Sequence, residues 1–161
     1  MTDTLDLSHW INGERVGGER PSESLNPSDI TDVVARTPDG GVAEVDAAVE
    51  AAKAAFPAWS QIGPNARRAL LMKASQALEA KGDAIAAAMA AETGASGIWA
   101  GFNVHLSASM LLEAASLTTQ INGEIIPSDV PGSVAMAVRQ PAGVVLGIAP
   151  WNAPVILATR A

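Results

Sequence analysis

Apolar residues change their spacing several times along this chain, and each change marks an element. Trp10, Ile11 and Val16 flank Asn12-Gly13, a pair suited to the positive φ angles of a type I′ turn, so a hairpin is expected over residues 10–16. Ser24-Leu25-Asn26-Pro27 is a turn signal, and the alternation in residues 32–36 predicts a strand that Gly40-Gly41 breaks. Val42, Val45, Val49, Ala52 and Phe56 then recur at helical spacing as one apolar stripe, with Pro57 and Gly63-Pro64 as the stop. Pro64 suits the first turn of a second helix, whose buried side is expected from Leu70, Ala74, Ala77 and Leu78 and whose end from Lys81-Gly82. Asp83 is a candidate cap for a third helix over residues 84–92, closed by Gly94. A fourth helix is expected over residues 97–120. Trp99, Phe102, Leu106, Met110 and Leu117 share one face of it, with Asn103 close by.

Strand character returns over residues 121–126 and 134–139, separated by a Pro- and Gly-containing loop, and a hairpin or long strand pair is expected there. Residues 143–149 are apolar without alternation, the pattern of a strand buried on both faces, as in parallel sheets. Pro150-Trp151-Asn152-Ala153-Pro154 turns out of it, and Pro154 starts another helix. The chain thus ends inside the first strand–loop–helix of an α/β unit, and a parallel strand needs partners. The pattern alone also admits a small helical domain with a β appendage.

Composition narrows the function classes. The chain has 161 residues, 48% of them apolar, enough for one domain with a core. A net charge of −7 and a pI near 4.7 disfavour phosphate backbones, so no nucleic-acid partner is expected. Asp3, Asp6, Glu14 and Glu19, with no apolar run among them, argue against a secretory signal. The longest purely apolar stretch, residues 84–91, is too short to cross a bilayer, so a soluble cytoplasmic protein without a membrane partner is expected. There is no cysteine, hence no disulfide, thiolate site or thiol nucleophile. His9 and His105 lack ligand-spaced neighbours, and no metal site is expected. No internal repeat is evident, and the abundant alanine reflects helix propensity.

The run Arg139-Gln140-Pro141-Ala142-Gly143-Val144-Val145-Leu146-Gly147-Ile148-Ala149-Pro150-Trp151-Asn152-Ala153-Pro154 resembles the R-x-P-x-G-V-x-x-x-I-x-P-W-N-x-P segment of the aldehyde dehydrogenase superfamily. Other segments resemble the family in the same order: Asn26-Pro27, the A-x-x-A-F-x-x-W helix ending at Trp59, Glu92-Thr93-Gly94, and Gly123-Glu124-Ile125-Ile126-Pro127. Trp99-Ala100-Gly101-Phe102-Asn103-Val104 and Asp129-Val130-Pro131-Gly132-Ser133 resemble members acting on aromatic aldehydes such as salicylaldehyde, vanillin and benzaldehyde. So does the run from Trp151 to Leu157 that leads to Arg160. The resemblance spans residues 10–161 here and about the first third of a family chain.

This resemblance implies an α/β fold: the helix-rich N-terminal part of a Rossmann-like cofactor domain, carrying a β-hairpin oligomerisation arm. Residues 1–120 would supply the N-terminal strands and helices, 121–140 the arm, and 141–161 the first strand–loop–helix. It implies NAD as cofactor, with NADP possible, an aldehyde substrate, and a homo-oligomer assembled through residues 121–140. In the family reaction a cysteine thiolate adds to the aldehyde, hydride leaves to the nicotinamide, and a glutamate-activated water releases the acid. Negative charge develops on the former carbonyl oxygen, and one fixed N–H donor there lowers the barrier by about 3 kcal/mol.

Asn152 matches the family's oxyanion asparagine, and its neutral amide suits that task. Read from residue type alone, Asn152 is equally an Asx-turn or a cap for the next helix. The resemblance places Ile148, Ala149, Pro150, Trp151 and Asn152 against the dinucleotide, at the end of a strand where α/β folds hold ligands; core packing is the alternative for Ile148. It places Trp99, Phe102, Asn103, Leu106 and Arg160 around the substrate tunnel, the aromatics for stacking and Arg160 for a phenolate or carboxylate. A core stripe is the alternative for Leu106, and an exposed helix charge for Arg160. The nucleophilic cysteine and the general-base glutamate of the family have no counterpart in these residues, so the polypeptide alone is expected to be inactive. A non-enzymatic module associating through residues 121–139 and an incomplete sequence remain as alternatives.

Overall fold

A computed structural model describes residues 4–18 and 21–161; Asp3 and Glu19, two of the acidic residues weighed above, lie outside them. The first layer is β-sheet. β1 (Leu5–Asp6) pairs in parallel with β5 (Asp29–Pro38), and β4 (Pro21–Asn26) pairs antiparallel on the other side of β5. Val34 and Ala35 of β5 are buried at its centre. The turn between β4 and β5 falls later than expected. Ser24, Leu25 and Asn26 are ladder residues, and Asn26 Oδ1 accepts the Ser28 N–H at 2.9 Å, so the side chain closes the turn one step further on. The expected Asn-Gly hairpin forms between β2 (His9–Ile11) and β3 (Glu14–Val16), with φ of 54° at Asn12 and 77° at Gly13.

Helix α1 (Val42–Ser60) starts at Gly41, whose N–H donates to Glu44 Oε2 at 2.7 Å. Glycine has no side chain to return the bond, so this is half of a capping box. Pro57 does not end the helix; α1 runs three residues past it. Lys53 and Pro57 are both exposed, so the carbonyl deprived of its helical donor lies on the wet side, where water replaces the bond. The expected stripe of α1 is not buried: Val42 and Val45 are exposed, and no residue of the helix is fully covered. Among the described residues the main neighbour of α1 is β2.

The core lies among α2 (Pro64–Ala80), α3 (Gly82–Thr93) and α4 (Gly97–Leu117), with α4 in the middle and touching α5 (Pro154–Arg160) as well. Lys81, not Asp83, is the cap of α3, and Asp83 sits in its first turn. Gly94 closes α3 as expected, at φ 69°. On α2 the covered residues are Ser75, with Arg68, Leu71 and Leu78 half-covered, whereas Leu70, Ala74 and Ala77 face outward. Polar bonds set this rotation. Ser75 Oγ donates to the Ala108 carbonyl at 2.9 Å, and Arg68 Nε donates to the Ala115 carbonyl at 3.2 Å.

Helix α4 inverts the expected size pattern. Its buried residues are Ala100, Asn103, Val104, Ser107, Ala108 and Ala115, while Trp99, Phe102 and Leu117 are exposed. Small side chains let three helices approach α4 closely, which leaves the large ones on the remaining face.

Residues 121–139 form the expected hairpin, in shortened form: β6 (Glu124–Ile126) pairs antiparallel with β7 (Ala135–Ala137). Residues 143–149 correct the expectation most. They form no strand, and Val145, Leu146 and Ile148 are exposed, Leu146 by 86%. A parallel strand exists only through its neighbours' hydrogen bonds, and no neighbour for it lies among the described residues. Among those residues no helix is long and apolar enough to cross a membrane.

Candidate functional site

The turn that leaves residues 143–149 brings the candidate residues together. Ala153 and Ile156 are buried where α5 meets α4, so the turn is seated on α4 by its apolar side. Its other side faces out. Asn152 is exposed, and its side-chain amide makes no hydrogen bond among the described residues. The cap of α5 is Ala153, with no side-chain cap bond. Asn152 therefore neither caps this helix nor closes an Asx-turn, and its two N–H donors are free for a ligand.

Beside this turn stands an aromatic pair. Trp99 and Phe102 stack with ring centroids 5.5 Å apart and planes inclined by 22°. Trp99 Nε1 donates to the backbone carbonyl of Asn152 at 2.9 Å, across 53 positions of sequence. Sequence reading placed both residues in one site but missed this bond. The available signal was general: an indole N–H in a structured region needs an acceptor.

The remaining candidates divide. Leu106 is half-buried on the same helix, one turn from Phe102 and Asn103. Asn103 is fully buried, not on an open wall: its Nδ2 donates to the Trp99 carbonyl at 3.0 Å, and its Oδ1 has no partner. The hydroxyl of Ser107, one turn on, is likewise buried and unpaired. Arg160 lies exposed in the last turn of α5.

Ile148, Ala149, Pro150 and Trp151 are all exposed, Ile148 by 80% and Trp151 by 76%. Plain core packing does not describe Ile148. These exposed side chains form a largely apolar run leading directly into Asn152. The basic residue of α5 is Arg160, in its last turn. Among the described residues, no group of three or more His, Asp or Glu side chains is placed to hold a metal.

Among the described residues, Asp29 and Glu44 are held below their ordinary range, and both have structural causes elsewhere. The Thr31 hydroxyl and N–H stabilise ionised Asp29 in a strand, and the Gly41 N–H stabilises ionised Glu44 at the α1 cap. An open cavity of about 820 Å³ lies apart from the aromatic pair, lined by Trp59, Arg67, Ile121 and Arg139 among others. Arg67 is already committed there: its guanidinium sits 5.4 Å from the Trp59 ring centre and donates to the Trp59 and Ile62 carbonyls.

Comparison with known proteins places the chain in a family. The model of the aldehyde dehydrogenase family matches residues 10–161. A vanillin dehydrogenase of Pseudomonas fluorescens is 63% identical over 161 residues, covering 98% of this chain and 33% of the relative. A salicylaldehyde dehydrogenase of Pseudomonas putida, solved with salicylaldehyde, superposes with a TM-score of 0.93 at 39% identity, covering 97% of this chain and 32% of that one. An NAD-dependent benzaldehyde dehydrogenase of Corynebacterium glutamicum gives a TM-score of 0.89 at 34% identity, over 95% of this chain and 34% of that one. The chain spans about a third of the length of the relatives it matches.

Proposed function

The chain belongs to the aldehyde dehydrogenase family, with the fold of the N-terminal part of the family's cofactor-binding domain, and on that premise we propose that it serves an NAD(P)-dependent oxidation of an aromatic aldehyde to its carboxylic acid. The observation that carries the reading is the free amide of Asn152 beside the stacked Trp99–Phe102 pair. An oxyanion donor and an aromatic wall then act on one substrate. The wall holds the ring, and the amide receives the negative charge that develops on the carbonyl oxygen. Trp99, Phe102 and Leu106 shape the wall, while Arg160 attracts a phenolate or the product carboxylate. Asn103 supports the wall from behind through the Trp99 carbonyl.

A bound nicotinamide, from NAD or NADP, supplies the acceptor for the hydride that leaves the aldehyde carbon. Ile148, Ala149, Pro150 and Trp151 would hold it by apolar contact, next to Asn152. The 161 residues contain no thiol, so the polypeptide alone lacks the family's nucleophile and is expected to give no NADH from benzaldehyde and NAD.

Residues 1–120 act as the N-terminal strands and helical part of the cofactor domain, 141–161 as its first strand–loop–helix with the cofactor ledge, and 121–140 as the contact between copies in a cytoplasmic homo-oligomer. The exposed Ile125 and Met136 of the two-stranded β6–β7 sheet support that last assignment, since open strand edges pair readily. A chimera tests the substrate reading: residues 1–161 are joined to the complementary two thirds of the Pseudomonas fluorescens vanillin dehydrogenase. The chimera should oxidise vanillin and salicylaldehyde with far higher kcat/KM than acetaldehyde. A folded, NAD-binding chimera that prefers acetaldehyde would refute the reading.

A further inference from the structure

Asn152 sits in a weakly braced place. Before it runs the unpaired segment 143–149, and after it comes a seven-residue helix without a side-chain cap. Among the described residues, the bond from Trp99 Nε1 to the Asn152 carbonyl is the only hydrogen bond joining residues 150–152 to another element. The donor, by contrast, is firmly held. Trp99 lies in the first turn of α4, where its N–H donates to the Ser96 cap at 3.3 Å. Its carbonyl accepts from buried Asn103, and its ring stacks on Phe102.

We infer that Trp99 is the positioning residue of Asn152: its indole N–H fixes the backbone from which the Asn152 amide is aimed. This rests on the proposed oxyanion role of Asn152. An indole has a single donor and no acceptor, and here the donor is spent on the carbonyl. A substrate therefore meets only the ring of Trp99. The two contributions are separable: the ring acts on substrate binding, and the N–H acts on catalysis through Asn152.

The separation sets the test. In the chimeric enzyme, Trp99→Phe keeps an aromatic ring and removes the donor. It should lower kcat about tenfold and leave KM within about twofold, since loss of aim by a fraction of an ångström weakens a transition-state contact and spares ground-state binding. Asn152→Ala should lower kcat by about 10²–10³. Adding Trp99→Phe to Asn152→Ala should then cause no further loss in kcat, because the donor acts only through the amide. Benzothienylalanine at position 99, with sulfur in place of the N–H, should reproduce the Trp99→Phe effect without changing the packing. In the 161-residue chain, the Trp99 indole proton should exchange with solvent more slowly than that of Trp151.

Losses in kcat that multiply in the double variant would overturn the positioning role while leaving the oxyanion reading intact, as would equal exchange rates for the two indoles. So would a rise in KM alone. An Asn152→Ala enzyme with unchanged kcat would overturn both.

Discussion

Gly94 decides how α3 hands the chain to α4, and replacing it is a quantitative test of the helical layer. Gly94 has φ 69° and ψ 17°, and its N–H closes α3 on the Ala90 carbonyl at 3.0 Å. Two residues later Ser96 caps α4, so the left-handed turn sets the angle at which Trp99 enters the site. A Cβ in this conformation costs about 1–2 kcal/mol for alanine. It would also lie 3.2 Å from Pro27 Cγ, inside the usual 3.5–4.0 Å carbon contact, so the loop before β5 must yield slightly. Lower entropy of the unfolded chain returns about 0.4–1 kcal/mol.

With about 1 kcal/mol more for the tight contact at Pro27, the net expectation for Gly94→Ala is a loss of about 1–2 kcal/mol. With a urea slope of about 2 kcal/mol/M, the unfolding midpoint of the 161-residue chain should fall by about 0.5–1 M with the slope unchanged. Gly94→Asn places a Cβ against the same proline but tolerates the left-handed region better. The Ala–Asn difference reports the backbone effect, and the Asn–Gly difference carries the contact with Pro27 together with the backbone cost that asparagine retains. Equal midpoints for Ala and Asn variants would refute the backbone argument, and two unchanged midpoints would refute the turn geometry itself.

Ser75→Ala should cost about 1 kcal/mol by the same urea assay, the worth of one buried neutral hydrogen bond, because the Ala108 carbonyl keeps its place in the helix ladder; a loss above about 3 kcal/mol would show a wider collapse of the α2–α4 seam. Asn103→Leu removes a buried acceptor that has no partner, and the Trp99 carbonyl keeps its backbone donor in the helix ladder, so thermal unfolding should show no loss or a gain of about 1 kcal/mol. A clear destabilisation would contradict this. Glu44→Gln separates charge from bonding at the α1 cap. The folded-state pKa of Glu44 lies below its ordinary 4.5, so its charge stabilises the fold above that value and ceases to do so as pH falls through the folded pKa. Urea midpoints of the parent and Glu44→Gln chains should differ near neutral pH and converge below pH 4.5; a constant gap would sink the assignment.

Local chemistry was the legible part of this chain. Asn12-Gly13, Gly94 and the Pro64 start of α2 each place a backbone condition on one or two residues, and all three behave as their types require. Rotation of the helices was not legible, because it depends on partners. Leu70, Ala74 and Ala77 carry the helical period of α2 yet face outward, since Ser75 and Arg68 find carbonyls on α4. Periodicity finds an apolar stripe but cannot tell a stripe that packs from one left uncovered. The segment 143–149 shows the same limit, for its apolar residues express a strand only where neighbouring strands exist.

The site shows why both kinds of information are needed. Motif resemblance singled out Asn152 and Trp99 separately, each by its place in a run of residues. Neither run predicts that one should hold the other. That bond follows from α4 burying its small side: Ala100, Ala108 and Ala115 draw α2, α3 and α5 inward, which leaves Trp99 on the rim where α5 begins. Had large residues filled the buried face, α5 would stand further off and the 2.9 Å contact would fail. The alanine-rich composition, which has no chemistry of its own, therefore sets the reach of the indole and with it the aim of the amide.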